Sequence, residues 1–380
     1  MTAMEHFQDL DTRGARAAET FVIGGVRYLA IPQLAYDVPG RPAQMTQGDS
    51  DTELLLYRWA EADGTDGADP AAGPRFVPHQ RLPVPGGEDA EYFSIDGRHF
   101  LATASLRSGA GPYAMALPST IFEWRGDRFE PFQQVPTVAA KQWTHFSIGA
   151  RHFLLLAQGA AGEGEAPSAQ AASQVFEWDG AAFQPFQALP SAWGYNGAFF
   201  EVDGERLLAY ADHVVPSRLL RWNGQAFEPF QPLDDKGGRA FCFFETRGQA
   251  WLAFANLLGE SVLYRWAGDR FERHQVLSGP GGREWLWLPD GDGGRDGDGQ
   301  LLQVHFLTGS REAPVTALSS RFFRFEGERM AEYGRFDTLG GTDAAAFESG
   351  GWRYLVVTHA LGADQRFHTP SQVYRLGRAA

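Results

Sequence analysis

Two side chains near the C-terminal end of the chain, Asp343 and His359, are of the types that acid–base catalysis requires. A carboxylate and an imidazole in one cavity can accept and return a proton, so this pair is the candidate for chemistry. The sequence contains no nucleophile elbow, no phosphate-binding glycine loop and no HExxH or CxxC motif. The pair therefore leaves an enzymatic function open without demonstrating one.

A larger group of polar and aromatic side chains recurs at equivalent places in an internal repeat and suits ligand binding. Polar residues lie four positions before a recurring aromatic marker or at the end of the following strand. We expect them to line a funnel, together with nearby aromatic walls: Asp89, Gln142, Asn196, Arg283, Asp343, Asp212, Asn256, Trp143, Trp193, Tyr195 and Trp285. An apolar lining with a few polar groups is typical of ligand sites. The alternative is that these side chains form caps and hydrogen bonds between neighbouring repeats.

One acidic stretch, DGDGGRDGDG at residues 290–299, resembles a calcium-binding loop because it clusters oxygen ligands. It lacks the flanking helices and the closing glutamate of an EF-hand, and it replaces a hairpin turn. We interpret it as an acidic loop.

The repeat that positions these residues has two parts. The first reads F-x-I-x-G-x-x-Y-L-A, as in FSIDGRHFLATA, where two short apolar runs flank a glycine turn. The second is an aromatic run ending in Trp, a polar turn, then F-x-x-F-Q, as in FEWDGAAFQPFQ. Each copy therefore predicts four strands, which suits one blade of a β-propeller.

Seven copies can be counted, with Trp287 as the marker of the sixth, so the sequence predicts an all-β, seven-bladed propeller in a single domain. The last copy stops after its third strand, and MEHFQ near the N-terminus fits the missing fourth strand, which would close the ring. The expected blades are residues 17–84, 89–137, 142–190, 196–234, 240–278, 283–339, and 343–380 together with 4–12.

These motifs resemble the EAR or EPTP repeat of the epilepsy-associated LGI proteins, here in a stand-alone, bacterial-like chain. The resemblance covers nearly the whole sequence and is weakest in the sixth copy, where MAEYG lacks the Gln. It implies a seven-bladed propeller used mainly for protein recognition. It also implies a calcium ion in the central channel, for which Asp89 and Asp343 are the candidate ligands.

Composition limits the partners. Hydrophobic residues make up 43% and aromatic residues 13% of the 380 residues, which is ample material for a core. A net charge of -14 without clustered Lys and Arg argues against nucleic acid, and no apolar run is long enough for a membrane span. The single cysteine suits a reducing compartment. We expect a cytoplasmic monomer.

Long connections accumulate on one face of the predicted ring. The links between second and third strands are long in five copies, at residues 33–51, 105–118, 158–173, 306–318 and 359–370. Rigid scaffolds carry function on loops, so this face is the predicted binding face for a protein or a small-molecule ligand. The alternative is a cofactor-free lyase, isomerase or cyclase that acts on an apolar molecule in the funnel.

Overall fold

The computed structural model describes residues 4–61, 73–162, 168–233, 236–290 and 297–378. Seven four-stranded antiparallel sheets form the blades of a closed propeller. Each blade's first strand contacts the first strands of both neighbouring blades, so these seven strands enclose a central channel. The predicted fold class is confirmed.

The strands of each blade run in order from the channel outward. In blades 1 to 4 they are Glu19–Ile23, Val26–Ile31, Glu53–Ala60, Arg75–Pro83; Gly87–Ile95, Arg98–Ser105, Ala116–Trp124, Phe129–Val138; Gln142–Ile148, Arg151–Ala157, Ser173–Trp178, Phe183–Leu189; and Gly194–Val202, Glu205–Asp212, Arg218–Trp222, Phe227–Pro232. In blades 5 and 6 they are Gly238–Thr246, Gln249–Asn256, Ser261–Trp266, Phe271–Ser278; and Gly282–Pro289, Gly299–His305, Ala317–Glu326, Arg329–Leu339. A small ladder, Thr308–Gly309 with Pro314–Val315, decorates blade 6.

Blade 7 joins the two ends of the chain. Its first three strands are Gly341–Ser349, Trp352–His359 and Ser371–Arg378, and its fourth is Glu5–Leu10 near the N-terminus. The N-terminal strand pairs antiparallel with Ser371–Arg378. The predicted closure of the ring is therefore confirmed.

The glycine turn in the first half of the repeat is a tight hairpin. At Asp96–Gly97 and Asp203–Gly204, both residues have positive φ. Two-residue hairpin loops of this kind favour Asp-Gly because their backbone twist matches that of the flanking strands. Most links on this side of the ring are similarly short, and we call it the turn face.

The recurring Gln of F-x-x-F-Q joins neighbouring blades. In Gln187 of blade 3, the amide Nε2 donates to the backbone O of Phe227 in blade 4 at 2.7 Å, and Oε1 accepts from the N of Phe227 at 2.8 Å. Six blade junctions carry this paired hydrogen bond, through Gln8, Gln80, Gln133, Gln187, Gln231 and Gln275. We call it the glutamine clamp.

The junction between blades 6 and 7 lacks the clamp because Gly334 occupies the glutamine position. A cavity of about 420 Å³ opens there, and its lining includes Met4, Phe322, Tyr333, Gly334 and Tyr374. We call this junction the seam.

The first strand of blade 6 corrects one expectation. Its marker is Leu288 and not Trp287, because Leu288 is 3% exposed in the core whereas Trp287 stacks on Phe244 of blade 5 at 4.2 Å. The same stacking involves the residue before the marker in blades 2 to 5, as in Tyr92 on Phe21 at 4.3 Å. The long acidic insertion displaced the sequence alignment by one residue.

Most of that insertion, residues 291–296, lies outside the described residues. The helical segment among the described residues is a single three-residue 3-10 turn, Ala169–Ala171, and no helix there could span a membrane.

Candidate functional site

The central channel encloses a cavity of about 570 Å³ lined by the first strands of all seven blades. Of the residues predicted to form a funnel, it is lined by Asp89, Gln142, Tyr195, Asn196, Arg283, Trp285 and Asp343. Trp143, Trp193, Asp212, Asn256 and His359 do not line it.

The polar side chains of the first strands hydrogen bond to the next blade. Asp89 accepts from the backbone N of Trp143, and Asp343 accepts from the backbone N of Ala18, each at 2.8 Å. Gln142 and Asn196 accept in the same way from residues of blades 4 and 5. These side chains therefore connect the inner strands around the channel.

Residues at the end of the second strands cap the connections between blades. Asp212 accepts from the backbone N of Ala192 and Trp193, and Asn256 donates to the backbone O of Lys236. His359 donates from Nδ1 to the backbone O of Pro370 at 2.9 Å and is 3% exposed. Asp343 faces the channel while His359 is buried against its own loop, so the structure does not bring the acid–base candidates into one cavity.

The four expected aromatic walls have different environments. Trp143 is 1% exposed and belongs to the apolar core between blades 2 and 3, where its Nε1 donates to the backbone O of Thr103. Trp285 lines the cavity but packs largely into the core between blades 5 and 6. Trp193 lies beside the cavity, with its ring 5.7 Å from Lys141 Nζ. Of the four, only Tyr195 and Trp285 line the cavity.

A ring of seven side chains lies at one end of the channel, and only two of them, Tyr195 and Arg283, were predicted from the sequence to line it. Each blade contributes one residue near the start of its first strand. This residue directly follows an Ala or Gly that lies opposite, or next to the residue opposite, the end of the second strand. This mouth ring consists of Arg16, Glu88, Lys141, Tyr195, Arg239, Arg283 and Thr342, and all seven line the cavity. The preceding residues are Ala15, Gly87, Ala140, Gly194, Gly238, Gly282 and Gly341. The recurrence of Ala or Gly at this position in all seven blades was the sequence pattern that could have identified the mouth ring.

Arg283 belongs to the mouth ring and not to the layer of Asp89, where the sequence alignment placed it. Glu284 pairs with Val304, and Asp89 pairs with Ala104, each after the same register shift. Glu284 therefore occupies the position equivalent to Asp89 and Asp343.

The mouth ring is organised around Tyr195. The guanidinium carbon of Arg239 lies 3.8 Å from the centre of the Tyr195 ring, and that of Arg283 lies 5.3 Å from it. Lys141 Nζ is 5.7 Å away. Because burial disfavours the charged form, the pKa of Lys141 is lowered to about 7 and that of Arg239 to about 10. Three cations from three blades thus share one aromatic ring.

Below the mouth ring the channel is acidic. Burial raises the pKa of Asp89 to about 7, of Glu91 to about 8 and of Asp343 to about 6. Burial, with the nearby negative charges, also raises the pKa values of Glu19 and Glu284. The channel therefore has a cationic end and a carboxylate-rich interior.

The predicted calcium ligands, Asp89 and Asp343, are engaged in hydrogen bonds between blades. Asp89 and Asp343 each direct one oxygen to a backbone N of the next blade. Calcium requires six to eight oxygen ligands. The described part of the chain contains no group of three or more His, Cys, Asp or Glu side chains arranged for a metal.

Three long loops of neighbouring blades interlock opposite the turn face. We call residues 360–370, 32–52 and 106–115, from blades 7, 1 and 2, the loop platform. Asp37 accepts from the backbone N of Phe367 and His368. Ser50 N donates to the backbone O of Gly109 at 2.9 Å, and Gly109 N donates to Asp51 at 2.8 Å.

The loop platform also has its own apolar core. Leu34, Leu361 and Phe367 pack with Leu257 and Phe306 of blades 5 and 6. Gly48 has a φ of +122°, and an added Cβ would lie 2.6 Å from the ring of Phe367. Only glycine fits between these loops, so the loop platform is a packed element of the fold.

Comparisons with solved structures identify the same architecture. The crystal structure of the Saccharomyces cerevisiae Sqt1 aligns with a TM-score of 0.52 and 10% identity, covering 98% of each chain. BBS1N, solved in complex with ARL6DN and soaked with mercury, aligns with a TM-score of 0.55 and 11% identity, covering 99% of this chain and 98% of that one. At these identities the likeness shows the fold alone.

Sequence relatives carry the same repeat. The human Thrombospondin-type laminin G domain and EAR repeat-containing protein is 28% identical over 153 residues, which are 40% of this chain and 19% of that protein. The mouse protein of the same name is 28% identical over 182 residues, 47% of this chain and 23% of that protein. The matches span less than a quarter of those proteins.

A family model for the EPTP domain matches residues 5–50, 75–125, 128–179, 182–223 and 226–267, together more than half of the chain. Each matched unit begins at or next to the fourth strand of one blade and continues into the next blade. The repeat unit is thus offset from the blade, as expected for a ring closed by its N-terminal strand. The chain belongs to the family of EPTP-domain proteins.

Proposed function

We propose that this protein recognises a protein partner through the loop platform. The observation that carries the proposal is the interlocking of loops from blades 7, 1 and 2 by hydrogen bonds and a shared apolar core. Family membership supports it, since an EPTP propeller is consistent with a protein-interaction domain.

Rigid loops favour binding because less conformational entropy is lost when a partner docks. Loops without a role can lengthen at little cost, but they need no hydrogen bonds to one another. Here Arg107 donates to Ser50, and Tyr113 donates to the backbone O of Gly48. These contacts join the loops of blades 1 and 2, which supports a pre-organised surface.

Exposed apolar side chains occur on the same side of the ring. Leu258, in the short loop of blade 5, is 58% exposed, and Val315, in the ladder of blade 6, is 49% exposed. Apolar side chains beside a polar surface are typical of protein interfaces. They extend the proposed interface beyond the loop platform.

The test compares two charge-swapped variants in quantitative affinity capture from the source cells. Arg41→Glu with Asp364→Arg alters two exposed sites on the loop platform, and Arg270→Glu with Asp269→Arg alters an exposed hairpin on the turn face. Both pairs leave the net charge unchanged. We expect a captured protein to be reduced about tenfold by the first pair and retained by the second. Loss with the turn-face pair and retention with the platform pair would refute the proposal.

A further inference from the structure

The mouth ring gathers more positive charge than its neighbours neutralise. Arg16, Lys141, Arg239 and Arg283 come from four blades, and Glu88 is the one acidic member of the ring. The chain as a whole has a net charge of -14, so this concentration of cations is local.

These cations are buried. The side chains of Arg16 and Arg283 are 10% and 11% exposed, and Lys141 and Arg239 are 4% and 5% exposed. A buried charge without a close partner destabilises the fold, because the attraction to a partner no longer offsets the loss of hydration. The mouth ring therefore needs negative charge that the fold supplies only in part.

Glu88 stands between two guanidinium groups without closing on either. Its carboxylate oxygens are 3.6 Å from Arg16 Nε and 3.7 Å from Arg283 Nη2. Both separations exceed the length of a hydrogen bond. Glu88 thus compensates part of the positive charge but does not accept a hydrogen bond from Arg16 Nε or Arg283 Nη2.

The unfilled donors are specific atoms. Within the described residues, Arg16 Nε and Arg283 Nε are buried and have no hydrogen-bond acceptor. Arg239 Nη1 and Lys141 Nζ, in contrast, donate to the backbone O of Gly238 and of Ala139. Arg283 lies near enough to Asp89, Glu284 and Asp343 to oppose the rise in their pKa values, but among the described residues no ion pair joins these carboxylates to a ring cation. Buried donors normally have acceptors, so these N–H groups point to a ligand oxygen.

We propose that the mouth ring is a binding site for a small, doubly charged oxyanion of the phosphate, sulfate or dicarboxylate class. Four basic side chains around the carboxylate of Glu88 match a dianion better than a single charge, and guanidinium groups suit oxyanions through paired N–H donors. The ring side chains are at most partly exposed and line the cavity of about 570 Å³. A ligand must enter this cavity to reach them, which favours a small ion. This site is separate from the proposed partner surface and goes beyond it.

Isothermal titration calorimetry of the full chain with sodium sulfate, sodium phosphate and sodium succinate tests the proposal, with sodium chloride at matched ionic strength as the reference. We expect one site per chain that binds at least one of the dianions and does not bind chloride. Arg283→Met should weaken binding about tenfold or more, because it removes a charge and two donor sites. Arg270→Met, on the turn face, is the matched control and should bind like wild type.

Glu88→Gln separates a binding role from a structural one. If the mouth ring binds an anion, loss of the competing carboxylate tightens dianion binding. If the ring merely stabilises the fold, Glu88→Gln does not tighten it. The proposal is overturned if none of the three dianions binds in preference to chloride, or if Glu88→Gln and Arg283→Met both bind like wild type.

Discussion

Glu91 illustrates how the inner strands use carboxylates. It lies in the first strand of blade 2, and its Oε1 accepts a hydrogen bond from the backbone N of His145 in blade 3 at 2.8 Å. Burial raises the pKa of this carboxyl to about 8, and the neighbouring Asp89 adds to the effect. At neutral pH the folded protein therefore retains a proton that the unfolded chain releases.

Stability should fall as pH rises because of this group. The unfolded carboxyl ionises near 4.5, so between about pH 5 and pH 8 the folded state binds more protons than the unfolded state. Glu91→Gln keeps the acceptor oxygen and removes the titration. We expect its stability relative to wild type to increase steadily from pH 5 to pH 8 in urea unfolding experiments. Glu130→Gln, at an exposed position, is the control, and an identical pH dependence for Glu91→Gln and wild type would contradict the assignment.

The site was harder to predict than the fold for a physical reason. Asp89, Gln142, Asn196 and Asp343 were found because their positions repeat, and the structure places them all on the channel. Of the mouth ring, only Tyr195 and Arg283 were predicted to line the channel, because the ring side chains differ from blade to blade and carry little repeat signal. What repeats there is the small residue before each member, whereas the proposed anion contacts come from the variable residue that follows it.

At the scale of the element, the clearest prediction from sequence was the strand with F-x-x-F-Q. The clamp explains why the Gln recurs, since it pairs with both the N–H and the C=O of one residue in the next blade. Its absence at Gly334 was also visible in the sequence. The resulting cavity was not, because cavity formation depends on the packing of Phe322 and Tyr374 across two blades.

Gly334→Gln should restore the missing clamp. An added Cβ at Gly334 meets only Phe322, at 3.8 Å, and the equivalent partner would be the backbone of Met4. We expect an increase of about 1 kcal/mol in the free energy of unfolding from the new hydrogen bonds. Gly334→Ala controls for the loss of glycine flexibility.

The reverse change measures an existing clamp. Gln187→Ala should destabilise the fold by about 1 to 3 kcal/mol because it leaves the N–H and C=O of Phe227 without partners. Gln184→Ala, an exposed glutamine on the same strand, should change stability little. If Gly334→Gln is no more stable than Gly334→Ala, the seam does not accept a clamp.

At the scale of the whole molecule, the ring depends on six residues near the N-terminus. Glu5–Leu10 completes blade 7, and Gln8 clamps that blade to blade 1 through Phe76. Sequence alone predicted this closure, because the last repeat lacks a fourth strand and the N-terminal MEHFQ matches the sequence of a fourth strand. It did not predict that the loops of blades 7, 1 and 2 interlock above the same closure, since loop packing carries no repeat signal.

Deletion of residues 1–10 should open the ring. The third strand of blade 7 would become an unpaired edge, and the clamp to blade 1 would be lost. We expect a lower thermal midpoint and concentration-dependent association in size-exclusion chromatography. Deletion of residues 1–3 is the control and should behave like wild type. A protein that lacks residues 1–10 and yet melts and elutes like the full chain would contradict the role of this strand.

The seam has a consequence for how the propeller moves. Six of the seven blade junctions carry the glutamine clamp and the seam does not, so the seam is held by fewer hydrogen bonds than the other junctions. The fourth strand of blade 6, Arg329–Leu339, and the N-terminal strand meet there across a cavity and not through paired hydrogen bonds. We therefore expect the largest thermal motions between blades to occur at the seam. Blades 2 to 5 are joined by successive clamps and should move together as one rigid unit.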